Sequence, residues 1–256
     1  MPLTFPSHPA AIVPLKLSRP RWFDGTALIF GSMAPDLAYV LDGSGLPVWP
    51  FSHQLPGLVG WCLPIAWVCT WTTRRAAPVI AAHLPAGGAL ALRDYACLSL
   101  ASHRWWITVT SALTGAASHL ALDRLELQIP AAEYVMHLLG AIGMLLLARH
   151  IGKHQLLRRW YGDPPARRAR PVLFWSVTAV VAVPAIAVTP FLPGASLAHT
   201  TGARLLCAVT AGLLLASAAA AIAVRDRRSG WVPGRRRAVD PQAASPRSRS
   251  GSRITH

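Results

Sequence analysis

The chain has 256 residues, of which 53% are hydrophobic and 14% charged, yet 25 Lys and Arg against 10 Asp and Glu give a formal charge of +15. So few charged side chains cannot cover an ordinary soluble domain, and nucleic-acid binding is not expected without a soluble basic face. The four cysteines form no CxxC pair, which excludes a zinc ribbon and a disulfide framework. High hydrophobicity with basic loops is typical of a polytopic membrane protein.

The chain begins with a short predicted helix over 8–18, weakened by Pro14, and continues through a series of apolar segments. A membrane span needs about 20 apolar residues, and five segments approach or exceed that length. A sixth segment, 26–41, is shorter and contains Asp36. We therefore expect an all-α integral membrane bundle with five or six transmembrane helices. The five longer segments are 55–72, 105–122, 131–149, 171–193 and 203–224.

Polar segments complete the predicted organisation. The loop at 73–104 contains a stretch near 88–100 that predicts a helix at the membrane interface. Residues 225–256 are rich in Arg, Ser and Pro, a composition typical of disordered segments. The sequence thus predicts one helical membrane domain over 1–224, followed by a disordered tail that anchors the topology or contacts anionic headgroups.

Basic residues are sorted between two sets of loops. Four segments hold 23 of the 25 Lys and Arg residues: 1–25, 73–104, 149–170 and 225–256. The complementary loops hold only Arg124 and Arg204. By the positive-inside rule, six alternating spans place both termini in the cytoplasm.

Residue usage adds an expectation about location. Arg far outnumbers Lys and Asn is absent, which indicates a GC-rich bacterial genome. We therefore expect a multi-pass protein of the bacterial cytoplasmic (inner) membrane, with its C-terminus cytoplasmic. Membrane lipids are its expected partners, and the sequence indicates no particular protein partner.

Ionisable residues within or next to spans are costly in a bilayer, so each is a candidate functional residue. His119 and Asp123 are four residues apart, which places them on one face of a helix, and Glu133 and His137 repeat that spacing. In the six-span arrangement, all such residues fall on the extracytoplasmic side. The set comprises Asp36, His53, His119, Asp123, Glu133 and His137.

Imidazoles and carboxylates are the ligands of zinc and related divalent ions. Two or three His with one or two Asp leave a coordination position open, where a bound water becomes a nucleophile near neutral pH. Asp123 or Glu133 would then be available as a catalytic general base. Each residue also has an ordinary alternative. Asp36 could cap a helix, His53 could lie at the interface, and each i, i+4 pair could simply bond within its helix.

Four segments carry a family resemblance: TFPSHPAAIVPL, GSMAPDLAYVL, FSHQLPGL and SHLALD. In this order and spacing they resemble an uncharacterised bacterial polytopic membrane family, catalogued as a domain of unknown function, over roughly residues 1–150. The chain is similar, more remotely, to membrane-bound metal-dependent hydrolases. The resemblance implies metal ligands at His8, Asp36, His53, His119 and Asp123.

The chain departs from the family pattern in two places. From the aspartate of the SHLALD motif the chain reads DRLEL, so that Leu127 stands where relatives carry a downstream histidine. Ser52 stands before His53 where relatives carry threonine. The first departure removes one potential ligand from the set that the resemblance implies.

The arrangement of residues 1–41 has two solutions. If 26–41 spans the membrane and 1–25 is cytoplasmic, His8 lies far from Asp36. If 8–18 descends and 26–36 returns as a helical hairpin, each arm of about 15 Å, the two side chains meet. The sequence allows both.

These patterns predict a metal-dependent hydrolase with zinc at the extracytoplasmic membrane interface, acting on a lipid or envelope component with water as nucleophile. The alternative is a non-catalytic membrane scaffold or assembly protein whose polar cluster joins helices. A transporter is less favoured, because spans other than that of Asp36 hold few charges and no paired broken helices are evident.

Overall fold

The computed structural model describes the backbone of residues 4–128 and 132–229, without the side chains at 4, 6, 126, 127, 132–134, 136 and 225–229. Within this part every regular element is helical, as the sequence predicts. The α-helices are α1 (Thr4–Ser18), α2 (Gly25–Leu37), α3 (Val48–Ser52), α4 (Leu55–Gly57), α5 (Leu63–Ala82), α6 (Trp105–Gln128), α7 (Ala132–Lys153), α8 (Leu156–Tyr161), α9 (Pro171–Val188) and α10 (Ala198–Ser229).

Helices α1 and α2 form a hairpin. Lys16 closes the connecting turn, because its Nζ donates to the carbonyl oxygens of Pro20 at 2.7 Å and Phe23 at 2.9 Å. Asp24 caps α2 by accepting a hydrogen bond from the Ala27 N–H. Helix α1 continues through Pro14 and starts earlier than predicted. Of the two arrangements of residues 1–41, the hairpin is therefore the one that forms.

Helices α2 and α6 pack unusually close together because glycines face the opposing backbone. A Cβ at Gly31 would collide with the carbonyl oxygen of Ala112, and a Cβ at Gly115 with that of Leu28. Small residues permit such close crossings between membrane helices. The contact lies near the middle of α2 and in the first half of α6, and it holds the two helices side by side.

Helix α5 covers this pair. It is continuous with α4 through a π-helical turn at Leu58–Cys62, so that one helical segment runs over Leu55–Ala82. In the π turn, the indole Nε1 of Trp61 donates to the carbonyl oxygen of Ala34 at 2.9 Å. The predicted interfacial helix near 88–100 is a 3-10 helix at Leu92–Leu100.

Helix α7 packs along α1, and α9 packs along α10. A buried arginine fastens α10 to the segment that follows α2. Arg204 donates to the carbonyl oxygens of Asp42 at 2.6 Å, Pro193 at 2.7 Å and Val40 at 3.4 Å. The second helical pair is thereby joined to the end of the bundle where Asp36 lies.

Among the described residues, three helical segments are long and apolar enough to cross a membrane: Leu55–Ala82, Pro171–Phe191 and Ala198–Val224. Gly25–Leu41 is an apolar helix of shorter length. The predicted spans at 105–122 and 131–149 coincide with α6 and α7, which are helical but are not among those three. Of the predicted tail 225–256, the part from 230 onward lies outside the described residues.

Three predicted basic segments meet at one end of the bundle. The ammonium of Lys16 lies 5.0 Å from the ring centroid of Trp160. Arg74 pairs with Asp24 at 2.6 Å, and Arg158 with Asp94 at 2.8 Å. We call residues 16–24, 74–104 and 152–170 the basic end.

Candidate metal centre

Five side chains converge at the other end of the α1–α2 hairpin. His8 lies near the start of α1, Asp36 in the last turn of α2, His53 directly after α3, and His119 and Asp123 on α6. Ligand atoms of His8, Asp36 and His119 lie within 4.8 Å of one another, as do those of His53, His119 and Asp123. These are the five ligands that the resemblance implies, and we call them the His/Asp cluster.

The nitrogen–oxygen separations in the cluster are uniform. His119 Nε2 lies 3.3 Å from Asp36 Oδ1 and 3.2 Å from Asp123 Oδ2. His53 Nε2 lies 3.4 Å from Asp36 Oδ1 and 3.5 Å from Asp123 Oδ2, and His8 Nε2 lies 3.7 Å from Asp123 Oδ1. Charge-assisted hydrogen bonds of this kind are typically about 2.7–2.9 Å long, so the five groups stand further apart than direct pairing requires.

These separations match the edges of a coordination shell. Two ligand atoms about 2.1 Å from an ion lie about 3.0 Å apart at an octahedral angle and about 3.4 Å apart at a tetrahedral angle. The separations that join His53 and His119 to the two carboxylates, 3.2 to 3.5 Å, lie in or just beside that range. The described side chains therefore form groupings that could hold a metal ion.

The buried backbone selects the tautomer of His119. Its Nδ1 lies 2.8 Å from the carbonyl oxygen of Ser32, which can only accept, so Nδ1 carries the proton. The other nitrogen, Nε2, faces the two carboxylates, to which the neutral ring would present a lone pair, and it is buried without a hydrogen-bond partner among the described residues. A ligand histidine with its second nitrogen bonded to a carbonyl is the usual arrangement around protein metals.

His8 is buried, and neither of its ring nitrogens has a hydrogen-bond partner in the part of the chain that the structure describes. Its ring stacks on that of His119, with centroids 4.0 Å apart and planes 26° apart. Burying two polar nitrogens without partners is costly, and a cation next to Nε2 would remove part of that cost.

His53 approaches from the loop side. Its Nδ1 lies 2.9 Å from Ser52 Oγ and 3.3 Å from the carbonyl oxygen of Trp49, which leaves Nε2 for the carboxylates. Ser52 Oγ is itself 3.0 Å from the carbonyl oxygen of Pro35, one residue before Asp36. Ser52 therefore links the His53 loop to the last turn of α2, a role that sequence reasoning did not assign to it.

The cluster carries two carboxylates, and histidines are the only basic side chains that approach them among the described residues. Asp36 is buried, whereas the Asp123 side chain is 28% exposed. Neither pairs with a Lys or Arg among the described residues, although two buried or half-buried anions need compensating charge. One divalent cation would supply it.

The remaining predicted residues, His137 and Glu133, are in neither of these groupings of described side chains. His137 is buried on α7 but does not belong to either set of potential ligands. Glu133 is in the first turn of α7, and its side chain lies outside the described residues.

An aromatic group borders the cluster and was not predicted from the sequence. The Tyr39 ring lies 6.0 Å from that of His53 and 4.2 Å from that of His199, at the start of α10. The half-exposed Trp49 ring lies 5.9 Å from both Tyr39 and His53. We call Tyr39, Trp49 and His199 the aromatic rim. A segment of tyrosine and tryptophan between two candidate ligands was the available sequence signal.

Comparison with known proteins adds one match. No curated protein and no solved structure matches the chain. The segment that does match a family contains all five residues of the His/Asp cluster. Residues 1–126 match the model of a domain of unknown function, DUF4184, and over that segment the chain is similar to this uncharacterised family.

Proposed function

We propose that the protein is a metal-dependent hydrolase of the bacterial cytoplasmic membrane, with the His/Asp cluster as its zinc site. The convergence of five ligand-type side chains from three helices and one loop carries the proposal, together with the unpartnered Nε2 atoms of His8 and His119. A resident divalent ion supplies Lewis-acid polarisation and lowers the pKa of a water molecule.

The chain would cross the membrane five or six times after the α1 segment, with the basic end and the C-terminal tail in the cytoplasm. Because α1 starts at the end of the His/Asp cluster, this arrangement puts the start of α1 on the extracytoplasmic side, whereas the alternating spans of the sequence predict both termini in the cytoplasm. Support comes from α7, which presents a row of exposed apolar side chains to its surroundings. Its exposed members are Val135, Leu138, Leu139, Ile142, Leu145 and Leu146. The basic residues Lys16, Arg19 and Arg21 of the first segment belong to the basic end, so the hairpin agrees with the positive-inside rule.

Each cluster residue has a distinct proposed role. Asp36, His53 and His119 hold the ion, and His8 completes the shell from α1. The carbonyl oxygen of Ser32 and the hydroxyl of Ser52 fix the orientation of His119 and His53 through their Nδ1 atoms. This fixed orientation keeps both Nε2 lone pairs directed at one point.

Asp123 is the proposed ligand and general base. It is the more exposed of the two carboxylates. Its Oδ1 faces His8, and its Oδ2 faces His53 and His119. One oxygen can bind the ion while the other accepts a proton from the attacking water. The water oxygen would bond to the acyl carbon or the phosphorus, the ester bond to the leaving alcohol would break, and Asp123 would pass the proton to that alcohol oxygen. Water would be consumed, and no oxidant or reductant is needed.

The substrate class follows from the rim of the site. The segment that carries His53 exposes Leu46, Trp49, Phe51 and Leu55. A rim of this composition beside a membrane interface suits an amphiphile, whose ester or phosphoester group reaches the cluster while its chain lies on the apolar side chains. We therefore place the substrate among membrane lipids or lipid-linked envelope components.

Hydrolysis in water enriched in oxygen-18 tests this proposal. Purified protein in vesicles of anionic and zwitterionic phospholipids, with or without isoprenoid phosphates, should release products that contain oxygen from the solvent. Chelation should abolish this release and zinc should restore it. Metal binding without turnover of any of these amphiphiles would instead support the non-catalytic scaffold.

A further inference from the structure

A second site lies at the basic end, away from the His/Asp cluster. A cavity of about 240 Å³ lies between α1, α2, α5, α7, α8 and the 3-10 helix at Leu92–Leu100. Its walls are largely apolar, with Val13, Phe30, Met144, Ala148, Leu157 and Trp160 among them. An engineered apolar cavity of about 150 Å³ is large enough to bind benzene, so this one can take a segment of hydrocarbon chain.

A buried cation borders the same cavity. Lys16 is only 3% exposed, and two carbonyl oxygens at 2.7 and 2.9 Å account for two of its three N–H groups. Its ammonium also lies 5.0 and 5.1 Å from the ring centroids of Trp160 and Tyr161. Burial raises the pKa of Tyr161, so that ring remains a neutral phenol.

The charge of Lys16 has no carboxylate of its own. No carboxylate of the described residues lies within 4.0 Å of Lys16 Nζ. The nearby Asp24 carboxylate instead pairs with Arg74 at 2.6 Å and accepts a hydrogen bond from the Thr108 hydroxyl at 2.8 Å. Arg19 and Arg21 add two exposed cations on the adjoining turn, next to the exposed Trp22. An apolar cavity with unbalanced positive charge at its border is complementary to an anionic head joined to a hydrocarbon chain.

We propose that this cavity binds an anionic phospholipid of the surrounding bilayer. One acyl chain occupies the space between α2 and α7, and the phosphate lies against Lys16, Arg19 and Arg21. The lipid would fill a cavity whose walls otherwise lack packing partners, and it would fasten α7 to the α1–α2 hairpin. This site is independent of the proposed hydrolase activity, because none of its residues belongs to the His/Asp cluster.

The test measures lipid that stays bound to the full chain through purification. Wild-type protein is extracted from membranes, washed in mild detergent and analysed by native mass spectrometry and by lipid extraction. Ala148→Phe fills the cavity, Lys16→Met removes the buried charge, and Arg75→Met is the matched control, since Arg75 is an exposed cation of the same end that does not line the cavity.

We expect about one retained anionic phospholipid per wild-type chain, the same amount in Arg75→Met, and at least a fivefold loss in Ala148→Phe and Lys16→Met. Added phosphatidylglycerol should raise the Tm of wild type but not that of Ala148→Phe. Met144→Trp, one helical turn away, repeats the test if Ala148→Phe does not fold. Wild type that retains no lipid, retains a free fatty acid, or retains no more than Ala148→Phe would overturn the proposal.

Discussion

His8 and His119 stack their imidazole rings with centroids 4.0 Å apart, although one is near the start of the chain and the other is on α6. The contact exists because α1 folds back along α2 and because α2 crosses α6 at glycine. It brings the first candidate ligand into a cluster whose other members lie at the end of α2, after α3 and on α6. The hairpin and the close crossing are therefore the two features of the fold on which the site depends.

Gly31→Ala should disrupt the His/Asp cluster, although Gly31 is not one of its residues. The added Cβ would collide with the carbonyl oxygen of Ala112, so α2 and α6 must separate. We expect a stability loss of about 1–3 kcal/mol, as for other overpacked interiors, and weaker metal binding because Asp36 moves away from His119. Thermal unfolding and metal titration of the purified variant measure both effects.

Gly143→Ala is the matched control for that substitution. Gly143 also lies in a helix, but a Cβ there would be 3.6 Å from the Cβ of Ala10, an ordinary van der Waals distance. Since alanine favours helix over glycine by about 0.5–1 kcal/mol, this variant should be as stable as wild type or slightly more so. Equal losses in both variants would show that the α2–α6 crossing has no special importance.

The Asp24–Arg74 pair should stabilise the basic end. Asp24 is fully buried, and Arg74 approaches it at 2.6 Å. Arg74→Gln would leave a buried carboxylate without its cation, which typically costs about 3–5 kcal/mol. Arg75→Gln, next in sequence but exposed, should change stability by no more than about 0.5 kcal/mol. If the two variants had the same denaturation midpoint, the Asp24–Arg74 pair would not stabilise the basic end.

Single cysteines test the proposed topology. Ser44 is exposed at the end of the His/Asp cluster, and Ser102 is exposed at the basic end. A membrane-impermeant maleimide added to intact cells should label Ser44→Cys and leave Ser102→Cys unlabelled until the membrane is opened. The four native cysteines are buried or half-buried, and the parent protein provides the background. Labelling of both positions from one side would contradict a membrane between the two ends.

Asp123→Asn should separate metal binding from catalysis. The amide keeps the size of the side chain and one oxygen for the ion, but it cannot accept a proton as a carboxylate does. We expect the variant to retain most of the metal and to lose hydrolysis by about 100-fold or more, the usual contribution of a general base. A variant that keeps its full rate would remove Asp123 from that role.

The sequence predicts more of the site than of its surroundings. Alternating span ends predict one side of the membrane for Asp36, His53, His119, Asp123, Glu133 and His137, and the described structure brings the first four together. His8 could be assigned only through a family resemblance, since the choice between a span and a hairpin depends on packing against α6 and α7. Periodicity cannot show that packing.

Other features escaped prediction for a similar reason. The aromatic rim, the Arg204 contacts and the cavity beside Lys16 each join segments that are distant in sequence. In a chain of largely apolar residues, no pattern marks which aromatic ring will face which loop. The serines, threonines and His119 of α6 lower its hydropathy, so α6 is not among the three described segments whose composition suits a membrane span.

Metal analysis of the purified protein shows directly whether the His/Asp cluster binds an ion. Wild type, Asp36→Ala, His119→Ala and the control His154→Ala, an exposed histidine outside the cluster, would be loaded with zinc and other divalent ions, washed and measured by elemental analysis. We predict one ion per chain in wild type and in His154→Ala, and at least a tenfold loss of affinity in the two cluster variants. Wild type that binds none of the supplied ions, or cluster variants that bind as tightly as wild type, would contradict the account.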